Sequence, residues 1–300
     1  MNLDQAFTII MRTKNSDWVV EQSLSAIFSQ REVSFNLIVV DSGSTDNTLS
    51  IIKAYPCRLI EVSAESYVPG KILNMAIEQT MSEIVIFINS DSVLLSPYSL
   101  KNLLEHFNSD EVIAVYGRQI PRPEAELWVQ RDYAESFPCH GNQPDWLGIS
   151  LPLAAIKRNA WLEHPFYSEA WASEDTEWGL WAKNQGYKVV YEPAAITMHS
   201  HNYNHTQMYG RRFVEGEADV FILDERDSRL NFMKRTIKQL VKDAWLYIKH
   251  GQIKQLFQIL YHSYIYQWAY YKGIQLGLKR KIEGDTDLAK GQQIILSHYD

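Results

Sequence analysis

The residues best suited to chemistry follow an apolar run that stops abruptly. Residues 84–88 read Ile-Val-Ile-Phe-Ile, and Asn89, Ser90 and Asp91 come directly after them. A short run of this kind is typical of a strand buried on both faces of a parallel sheet. Side chains at the carboxyl end of such a strand face the ligand crevice of an open α/β sheet. A Mg²⁺ or Mn²⁺ ion that carries a nucleotide diphosphate needs only one or two protein carboxylates, so Asp91 is predicted to hold one.

The alternative for Asp91 is an aspartate that starts a turn or caps the next helix. A second acidic group has a similar pair of interpretations. Glu174, Asp175 and Glu177 lie in the first turn of a predicted helix that ends near Gly186. A carboxylate near a reacting carbon can take a proton from a hydroxyl group. Acidic residues in a first turn are also favoured by the helix dipole alone, and for Glu177 we prefer that interpretation.

Alternating strands and helices are predicted to position these groups. Apolar runs predict strands at 7–11, 35–40, 58–62 and 84–88, and helical patterns predict helices near 20–28, 48–54 and 71–80. Three or four β-α units within ninety residues predict an α/β fold with a doubly wound, mostly parallel sheet. Because crossovers are right-handed, the loops after the strands collect at one edge of that sheet.

The remainder of the chain is less regular. A helix near 100–107 and a strand near 112–116 precede an irregular stretch rich in proline and aromatic residues, 117–146. We then expect strands at 147–156 and 188–191 around the acidic helix, with His199 and His201 just beyond the last strand. From there to the end the pattern is mostly helical.

Composition excludes several classes of protein. The 300 residues include only two cysteines, Cys57 and Cys139, whose spacing fits neither a disulfide framework nor a zinc site. The first five residues do not resemble a signal peptide, and no apolar run approaches the roughly 18 to 20 residues of a membrane span. We therefore expect a cytoplasmic protein.

Charge is concentrated near the C-terminus. Residues 231–282 contain ten Lys or Arg and one acid, Asp243, whereas the whole chain has 29 basic and 36 acidic residues. Helical runs there place apolar and aromatic residues at spacings of three and four. One interpretation is peripheral docking on the anionic inner face of the cytoplasmic membrane. The other is packing on the catalytic domain or on a second copy, as a homodimer. No motif indicates nucleic-acid binding.

The order of these motifs resembles the family 2 glycosyltransferases with the GT-A fold, over residues 5–205. The residues that carry the resemblance are Arg12-Thr13-Lys14-Asn15, Asp41-Ser42-Gly43-Ser44-Thr45-Asp46, Gly70-Lys71 with Asn74, Asn89-Ser90-Asp91, Glu174-Asp175 and His199. Residues 117–121, Gly-Arg-Gln-Ile-Pro, are most similar to bacterial rhamnosyltransferase-type members. The resemblance implies a catalytic GT-A domain at 1–205, which is Rossmann-like, and a helical, basic extension at 206–300.

The resemblance also implies roles for individual residues. Nucleotide-sugar contacts are expected from Thr13, Asn15, Asp41, Ser44, Lys71, Asn74, Asn89 and Asp91. Thr13 and Asp41 would contact the base, since a carboxylate accepts the imide NH of a pyrimidine, although Asp41 could instead form an Asx turn. Lys71 would meet phosphate or base, or be a solvated lysine at the start of a helix.

The metal site is expected at Asp91 and His199, with His201 as the substitute ligand and Mg²⁺ or Mn²⁺ as the cofactor. Asn89 stands where the family usually has the first aspartate of its Asp-x-Asp motif. Asp175, with Glu174 beside it, is implied to be the general base. Trp146 and Trp171 are candidate acceptor contacts.

These roles describe an inverting transfer of sugar from a UDP-, dTDP- or GDP-linked donor to a hydroxyl of a glycan or lipid-linked acceptor. The subfamily likeness favours dTDP-rhamnose and a place in lipopolysaccharide or polysaccharide assembly. The alternatives are an inactive scaffold that binds nucleotide sugars and a nucleotidyltransferase on a similar fold. The sequence has no Gly-rich first loop of the kind that binds a triphosphate, which argues against a nucleotidyltransferase.

Overall fold

The computed structural model describes residues 7–141 and 143–285. The expectation about the first five residues, and the last fifteen residues of the predicted extension, lie outside these ranges. The chain divides into two compact units. Among the described residues, the first comprises residues 7–125, 132–141, 143–167 and 175–201, and the second comprises residues 126–131, 168–174 and 202–285.

The first ninety residues form the predicted β-α units. Their elements are β1 (Phe7–Thr13), α1 (Val20–Phe28), β2 (Phe35–Asp41), α2 (Thr48–Ile52), β3 (Arg58–Glu61), α3 (Pro69–Glu78) and β4 (Ile84–Asn89). β1 pairs in parallel with β2 on one side and with β4 on the other, and β2 pairs in parallel with β3. The carboxyl ends of these four strands therefore lie at one edge of the sheet, as predicted.

The elements between β4 and residue 201 complete a mixed sheet of eight strands. The additional elements are β5 (Val93–Leu94), α4 (Ser99–Glu105), β6 (Val112–Ile120), α5 (Leu127–Ser136), β7 (Leu153–Lys157), α6 (Arg158–Glu163), α7 (Glu174–Asn184) and β8 (Lys188–Met198). The strand order is β3-β2-β1-β4-β7-β6-β8-β5. β7 is antiparallel to both β4 and β6, β6 is parallel to β8, and β5 is antiparallel to β8. The sheet is thus mostly parallel, with the antiparallel strand β7 inserted between β4 and β6 and the antiparallel strand β5 at the edge beside β8.

Both faces of the sheet are covered, as a doubly wound fold requires. Ile10, Ile38 and Phe87 point to one face and pack with α3, whereas Met11 and Ile86 point to the other face and pack with α1 and α4. Successive side chains of a strand alternate between faces, so a strand that is apolar throughout contributes to both core layers.

Three details differ from the sequence expectations. The stretch 117–146 is not wholly irregular, because it contains α5 and because β6 continues to Ile120. The strand expected at 147–156 begins only at Leu153. β8 extends to Met198, seven residues past the expected end, and a register shift after Gly117 lets it keep pairing with β6. A strand that continues past such an irregularity has no continuous apolar run, so its full length is not evident from the sequence.

The second unit contains three long helices, α8 (His205–Ile222), α9 (Arg229–Lys249) and α10 (Leu256–Glu283). α8 and α10 approach each other closely where Gly273 faces the carbonyl oxygen of Phe213 and Gly216 faces that of Tyr270. Arg280 and Glu217 form a buried ion pair along the same contact. No helix in the described ranges combines the length and the apolar character needed to cross a membrane.

Candidate active site

The adjacent ends of β1, β2 and β4 bring three of the predicted donor residues to the same edge. Thr13 is the register partner of Asp41, and Arg12 is the register partner of Asn89. Asp41 is 1% exposed and Thr13 is 4% exposed. Because parallel strands end together, residues far apart in sequence become neighbours in the crevice.

The loops after β1 and β2 brace each other. Asn15, whose φ of 46° is left-handed, donates from its backbone N–H to Oγ of Ser44 at 2.8 Å. Its side-chain Oδ1 accepts from the backbone N–H of Thr45 at 2.8 Å. The backbone N–H of Ser44 also donates to both carboxylate oxygens of Asp41, at 2.9 and 3.1 Å. Asp41 therefore forms the turn that was its alternative role, and its carboxylate retains lone pairs for a further donor.

Thr13 presents a buried polar atom at this edge. Its backbone carbonyl accepts from the N–H and from the hydroxyl of Ser42. Among the described residues, no protein atom hydrogen-bonds its Oγ1. Because a buried hydroxyl without a partner costs free energy, a ligand that supplies one would be stabilised there.

The two candidates on α3 differ from each other. Lys71 is an exposed residue in the first turn, after the proline that begins the helix. Asn74 donates to the carbonyl of Phe166 at 2.8 Å and accepts from the backbone N–H of Phe166 at 3.0 Å and from Nε1 of Trp161 at 2.8 Å. The amide of Asn74 is therefore engaged in holding the segment after α6, and we assign it a structural role instead of a nucleotide contact.

Asp91 lies beside two histidines. Nε2 of His199 is 3.6 Å from Oδ1 of Asp91, and Nε2 of His201 is 3.2 Å from Oδ2. Burial alone would raise the pKa of the Asp91 carboxyl, but the charges of His199, His201 and Arg122 hold that pKa below its usual value. Sequence reasoning expected one histidine at this position and the structure brings both, since residues two apart on an extended segment share a side.

The residues that support this cluster come from β6 and the segment that follows it. Nδ1 of His199 lies 2.8 Å from Oε1 of Gln119, whose amide nitrogen donates to Oγ of Ser150 at 2.7 Å. The hydroxyl of Tyr133 is 3.3 Å from the same ring nitrogen. A carbonyl oxygen can only accept, so Nδ1 carries a proton, and whenever the ring is neutral its lone pair is on Nε2.

Arg122 was also absent from the predicted site. Its Nη2 donates to the carbonyl of Asp91 at 2.7 Å, and its guanidinium stacks 4.7 Å from the ring centre of Trp18. Its backbone N–H donates to Oγ of Ser200 at 2.9 Å. Arg122 thus fixes the backbone on both sides of the cluster. The only sequence signal for it was its position just after the Gly-Arg-Gln-Ile-Pro stretch.

The donor set fits a divalent cation. One carboxylate oxygen and two imidazole nitrogens, from Asp91, His199 and His201, lie within 4.8 Å of one another. Mg²⁺ binds almost only oxygen ligands, whereas imidazole nitrogens favour first-row transition ions. Asn89 contributes no charge, and its Oδ1 is 3.5 Å from Nη2 of Arg12. The two nitrogens are compatible with Mn²⁺ as an alternative to Mg²⁺.

The carboxylates of the acidic helix α7 differ in their exposure to solvent. Glu174 is 7% exposed, whereas Asp175 is partly exposed and accepts from the backbone N–H of Thr176 at 2.8 Å. The Glu177 carboxylate lies 2.9 Å from Nε2 of His164, so it has a structural partner that the sequence did not indicate. Asp175 is the more accessible candidate for a base.

The two candidate acceptor tryptophans also differ in exposure. Trp146 is 67% exposed, whereas Trp171 is 3% exposed. A buried indole has no surface to offer a sugar ring, so Trp171 is a packing residue and only Trp146 remains available.

Solved structures with the same architecture are glycosyltransferases. The mannosyltransferase PcManGT from Pyrobaculum calidifontis, in complex with GDP-Man and Mn²⁺, matches with a TM-score of 0.58 and 17% identity, covering 98% of this chain and 86% of that one. Glucosyl-3-phosphoglycerate synthase from Mycobacterium tuberculosis, in complex with Mn²⁺, UDP and phosphoglyceric acid, matches with a TM-score of 0.56 and 17% identity, covering 75% of this chain and 81% of that one. The fold is therefore GT-A, as predicted.

Sequence comparison gives the family. The model of Glycosyl transferase family 2 matches residues 8–162, which is more than half of the chain. The chain belongs to this family and is a glycosyltransferase.

Two relatives are similar over most of their length. The O-antigen chain rhamnosyltransferase RfbN of Salmonella typhimurium is 27% identical over 283 residues, covering 87% of this chain and 90% of the relative. The O-antigen chain rhamnosyltransferase WbaN of Salmonella anatum is 27% identical over 287 residues, covering 88% and 90%.

Proposed function

We propose that this chain is an inverting rhamnosyltransferase that uses dTDP-rhamnose and a lipid-linked glycan acceptor. The observation that carries the proposal is the cluster of Asp91, His199 and His201 at the strand ends that also present Thr13 and Asp41. Similarity to two O-antigen chain rhamnosyltransferases supports rhamnose as the sugar. Residues 1–205 would carry out catalysis and residues 206–300 would form the extension.

The strand edge supplies the nucleotide site. The carboxylate of Asp41 would accept the imide NH of the base, and the buried hydroxyl of Thr13 would pair with a base carbonyl. Asn15 and Ser44 hold the two loops in place for this contact. Lys71, exposed at the start of α3, would approach the diphosphate, and Asn89 would donate from its amide to a sugar or ribose hydroxyl.

The cluster supplies the diphosphate end of the site. Mn²⁺ held by Asp91, His199 and His201 would act as a Lewis acid for the charge of the leaving diphosphate. Gln119 keeps the proton of His199 on Nδ1, so that Nε2 is the coordinating atom. Arg122 adds positive charge and holds the backbone carbonyl of Asp91.

Asp175 is assigned the proton transfer. The acceptor hydroxyl loses its proton to the Asp175 carboxylate as its oxygen bonds to C1 of rhamnose. The bond from C1 to the diphosphate oxygen breaks, and its electron pair leaves with the diphosphate. Because the acceptor enters opposite the leaving group, the anomeric centre inverts. Trp146 is exposed and would contact the acceptor.

Nucleotide binding tests the donor site directly. A ligand that binds only the folded protein raises its melting temperature, so thermal unfolding is measured with UDP, dTDP and GDP, each with and without Mn²⁺. We expect the largest increase with dTDP and Mn²⁺ together. The absence of any increase with all three nucleotides, on folded protein, would contradict the proposal. A larger increase in melting temperature with UDP or GDP would support the nucleotide site but identify a donor other than dTDP-rhamnose.

Turnover separates an enzyme from a scaffold that only binds nucleotide sugars. Release of dTDP from dTDP-rhamnose is measured with lipid-linked glycan intermediates extracted from bacterial membranes. We expect release that depends on the extract and on Mn²⁺. Metal-dependent dTDP binding without any release would favour the scaffold.

A further inference from the structure

Helix α9 has a buried face of mixed polarity and a separate apolar face that is exposed. Thr236, Asp243, Leu246 and Tyr247 are buried within the second unit. A row of apolar side chains on another face of the helix is more than half exposed: Leu230, Met233, Ile237, Val241, Trp245 and Ile248. Their spacings of three and four residues place them on one stripe. A contiguous apolar stripe of this length, about 30 Å from end to end of the helix, marks an interaction surface.

A row of lysines runs beside the apolar stripe. Lys234, Lys238, Lys242 and Lys249 each follow an apolar residue of the stripe by one position, so they lie along one of its edges. Nζ of Lys249 is 4.9 Å from the ring centre of Trp245. The one acid of α9, Asp243, is 1% exposed and pairs with Arg131. The accessible surface of α9 is therefore apolar and cationic, although the whole chain has a net charge of −7.

We infer that the exposed stripe of α9 docks on an anionic lipid surface, with the helix axis in the plane of the interface. A helix of this kind buries its apolar residues at the level of the acyl chains, while lysines at the edge of the stripe meet lipid phosphates. Trp245 suits the interface because its indole is both apolar and polar. The lysines and other polar residues of α9 argue against a spanning orientation, because the helix is not apolar enough to cross a membrane.

A second copy of the chain is a poorer match for the same stripe. In a two-fold dimer the same patch meets itself, so the partner would bring a second lysine row and no acidic row to oppose the first. The exposed part of α9 offers no carboxylate to neutralise them. Anionic phospholipids supply the missing negative charge along the whole helix, which is the complementarity that the lysine row requires.

The docking inference rests on the proposed function in one respect. The proposed acceptor is a lipid-linked glycan, which an enzyme would reach at a membrane surface. Docking itself is measured without donor, acceptor or Mn²⁺. Failure of vesicle binding would therefore leave the donor site untouched, and failure of nucleotide binding would leave the docking surface untouched.

The test is flotation of the whole chain with vesicles of phosphatidylcholine alone and of phosphatidylcholine mixed with phosphatidylglycerol. We expect binding to the anionic vesicles, and at least about tenfold weaker binding to phosphatidylcholine alone or at high ionic strength. The double variant I237S/V241S shortens the apolar stripe and K234E/K238E reverses part of the lysine row. Each is expected to lower vesicle binding about tenfold or more, because these side chains are exposed and their loss spares the core.

Matched variants in the first unit serve as controls. M81S/L162S removes two exposed apolar side chains, and K53E/K183E reverses two exposed lysines. We expect both to bind anionic vesicles like the parent chain, and all four variants to keep its melting temperature within a few degrees. Equal loss in the controls, or full binding by the α9 variants, would overturn the inference. A dimer in light scattering that I237S/V241S dissociates, with no vesicle binding by the parent chain, would assign the stripe to a second copy instead.

Discussion

The carbonyl oxygen of Gln119 lies 2.8 Å from Nδ1 of His199, while the amide nitrogen of the same Gln119 is held by Ser150. This arrangement keeps a proton on Nδ1, so that in the neutral imidazole the lone pair is on Nε2, which lies 3.6 Å from the carboxylate of Asp91. Loss of such an outer contact typically lowers metal affinity about 10-fold to 100-fold.

We therefore expect Gln119→Leu to weaken Mn²⁺ binding by that factor. The measurement is a Mn²⁺ titration of the dTDP-induced rise in melting temperature. Gln119→Glu keeps an acceptor next to Nδ1 and should retain more affinity than Gln119→Leu. Equal affinity in the parent and Gln119→Leu would show that this hydrogen bond does not position His199.

The two imidazoles also set the preference between metals. Because nitrogen ligands favour Mn²⁺ over Mg²⁺, His201→Ala should lower the ratio of Mn²⁺ affinity to Mg²⁺ affinity as well as the affinity for Mn²⁺. The ratio is obtained from parallel titrations of dTDP binding with the two ions. His140, an exposed histidine, provides the control His140→Ala, which should leave both values unchanged. A ratio that does not change in His201→Ala would exclude His201 as a ligand.

Much of the donor side of this site could be predicted from sequence, because apolar runs that end in polar residues reveal where parallel strands stop. Asp91 follows from that pattern, whereas the nucleotide roles of Thr13 and Asp41 were implied by the family resemblance, and the strand register brings these two residues side by side. The support from Gln119 and Arg122 could not be predicted. It depends on how β6 and β8 align after a register shift, and local periodicity does not specify the register between distant strands.

Helix α5 was missed for a related reason. Val129 is its single fully buried side chain, so the helix has almost no apolar stripe for a sequence pattern to detect. The burial of Trp171 could not be predicted either, since composition does not distinguish a tryptophan of the core from one at a sugar site.

Substitution of Asp175 tests the assigned base. Asp175→Asn keeps the shape of the side chain but removes its capacity to take a proton, so turnover should fall about 10²-fold to 10⁴-fold. Binding of dTDP with Mn²⁺ should stay at the parent level, because Asp175 has no assigned contact to the donor. Release of dTDP and the melting temperature measure the two effects. A fully active Asp175→Asn enzyme would remove Asp175 from the mechanism, and selective loss in Glu174→Gln would move the role to Glu174.

The close contact between α8 and α10 predicts a large effect of a small substitution. A Cβ at Gly273 would overlap the backbone carbonyl of Phe213 and the backbone N–H of Glu217, which are fixed parts of α8. Since the helices must separate to admit it, Gly273→Ala should lower the free energy of unfolding by about 1 to 3 kcal/mol. Gln258→Ala, at an exposed position of α10, should change it by less than about 0.5 kcal/mol. Denaturant unfolding of both variants gives the comparison.

His262 of α10 makes the stability of the protein depend on pH. Burial lowers the pKa of its imidazole to about 4, because it outweighs the attraction of Asp243, and His205 adds to the lowering. The unfolded chain, with an ordinary histidine pKa of about 6.5, then binds more protons than the folded chain between pH 4 and pH 6.5. The free energy of unfolding must therefore rise with pH across that window. Between pH 5 and pH 7 the contribution of His262 is about 2 kcal/mol.

The variant His262→Gln removes this titration. The difference in the free energy of unfolding between pH 5 and pH 7 should shrink by about that amount relative to the parent chain, as measured by urea unfolding at the two pH values. His140→Gln removes an exposed histidine and should leave the difference as it is in the parent. If His262→Gln keeps the full pH dependence of the parent, the pKa of His262 is the same in the folded and unfolded chains, and the attraction of Asp243 then offsets the burial of the imidazole.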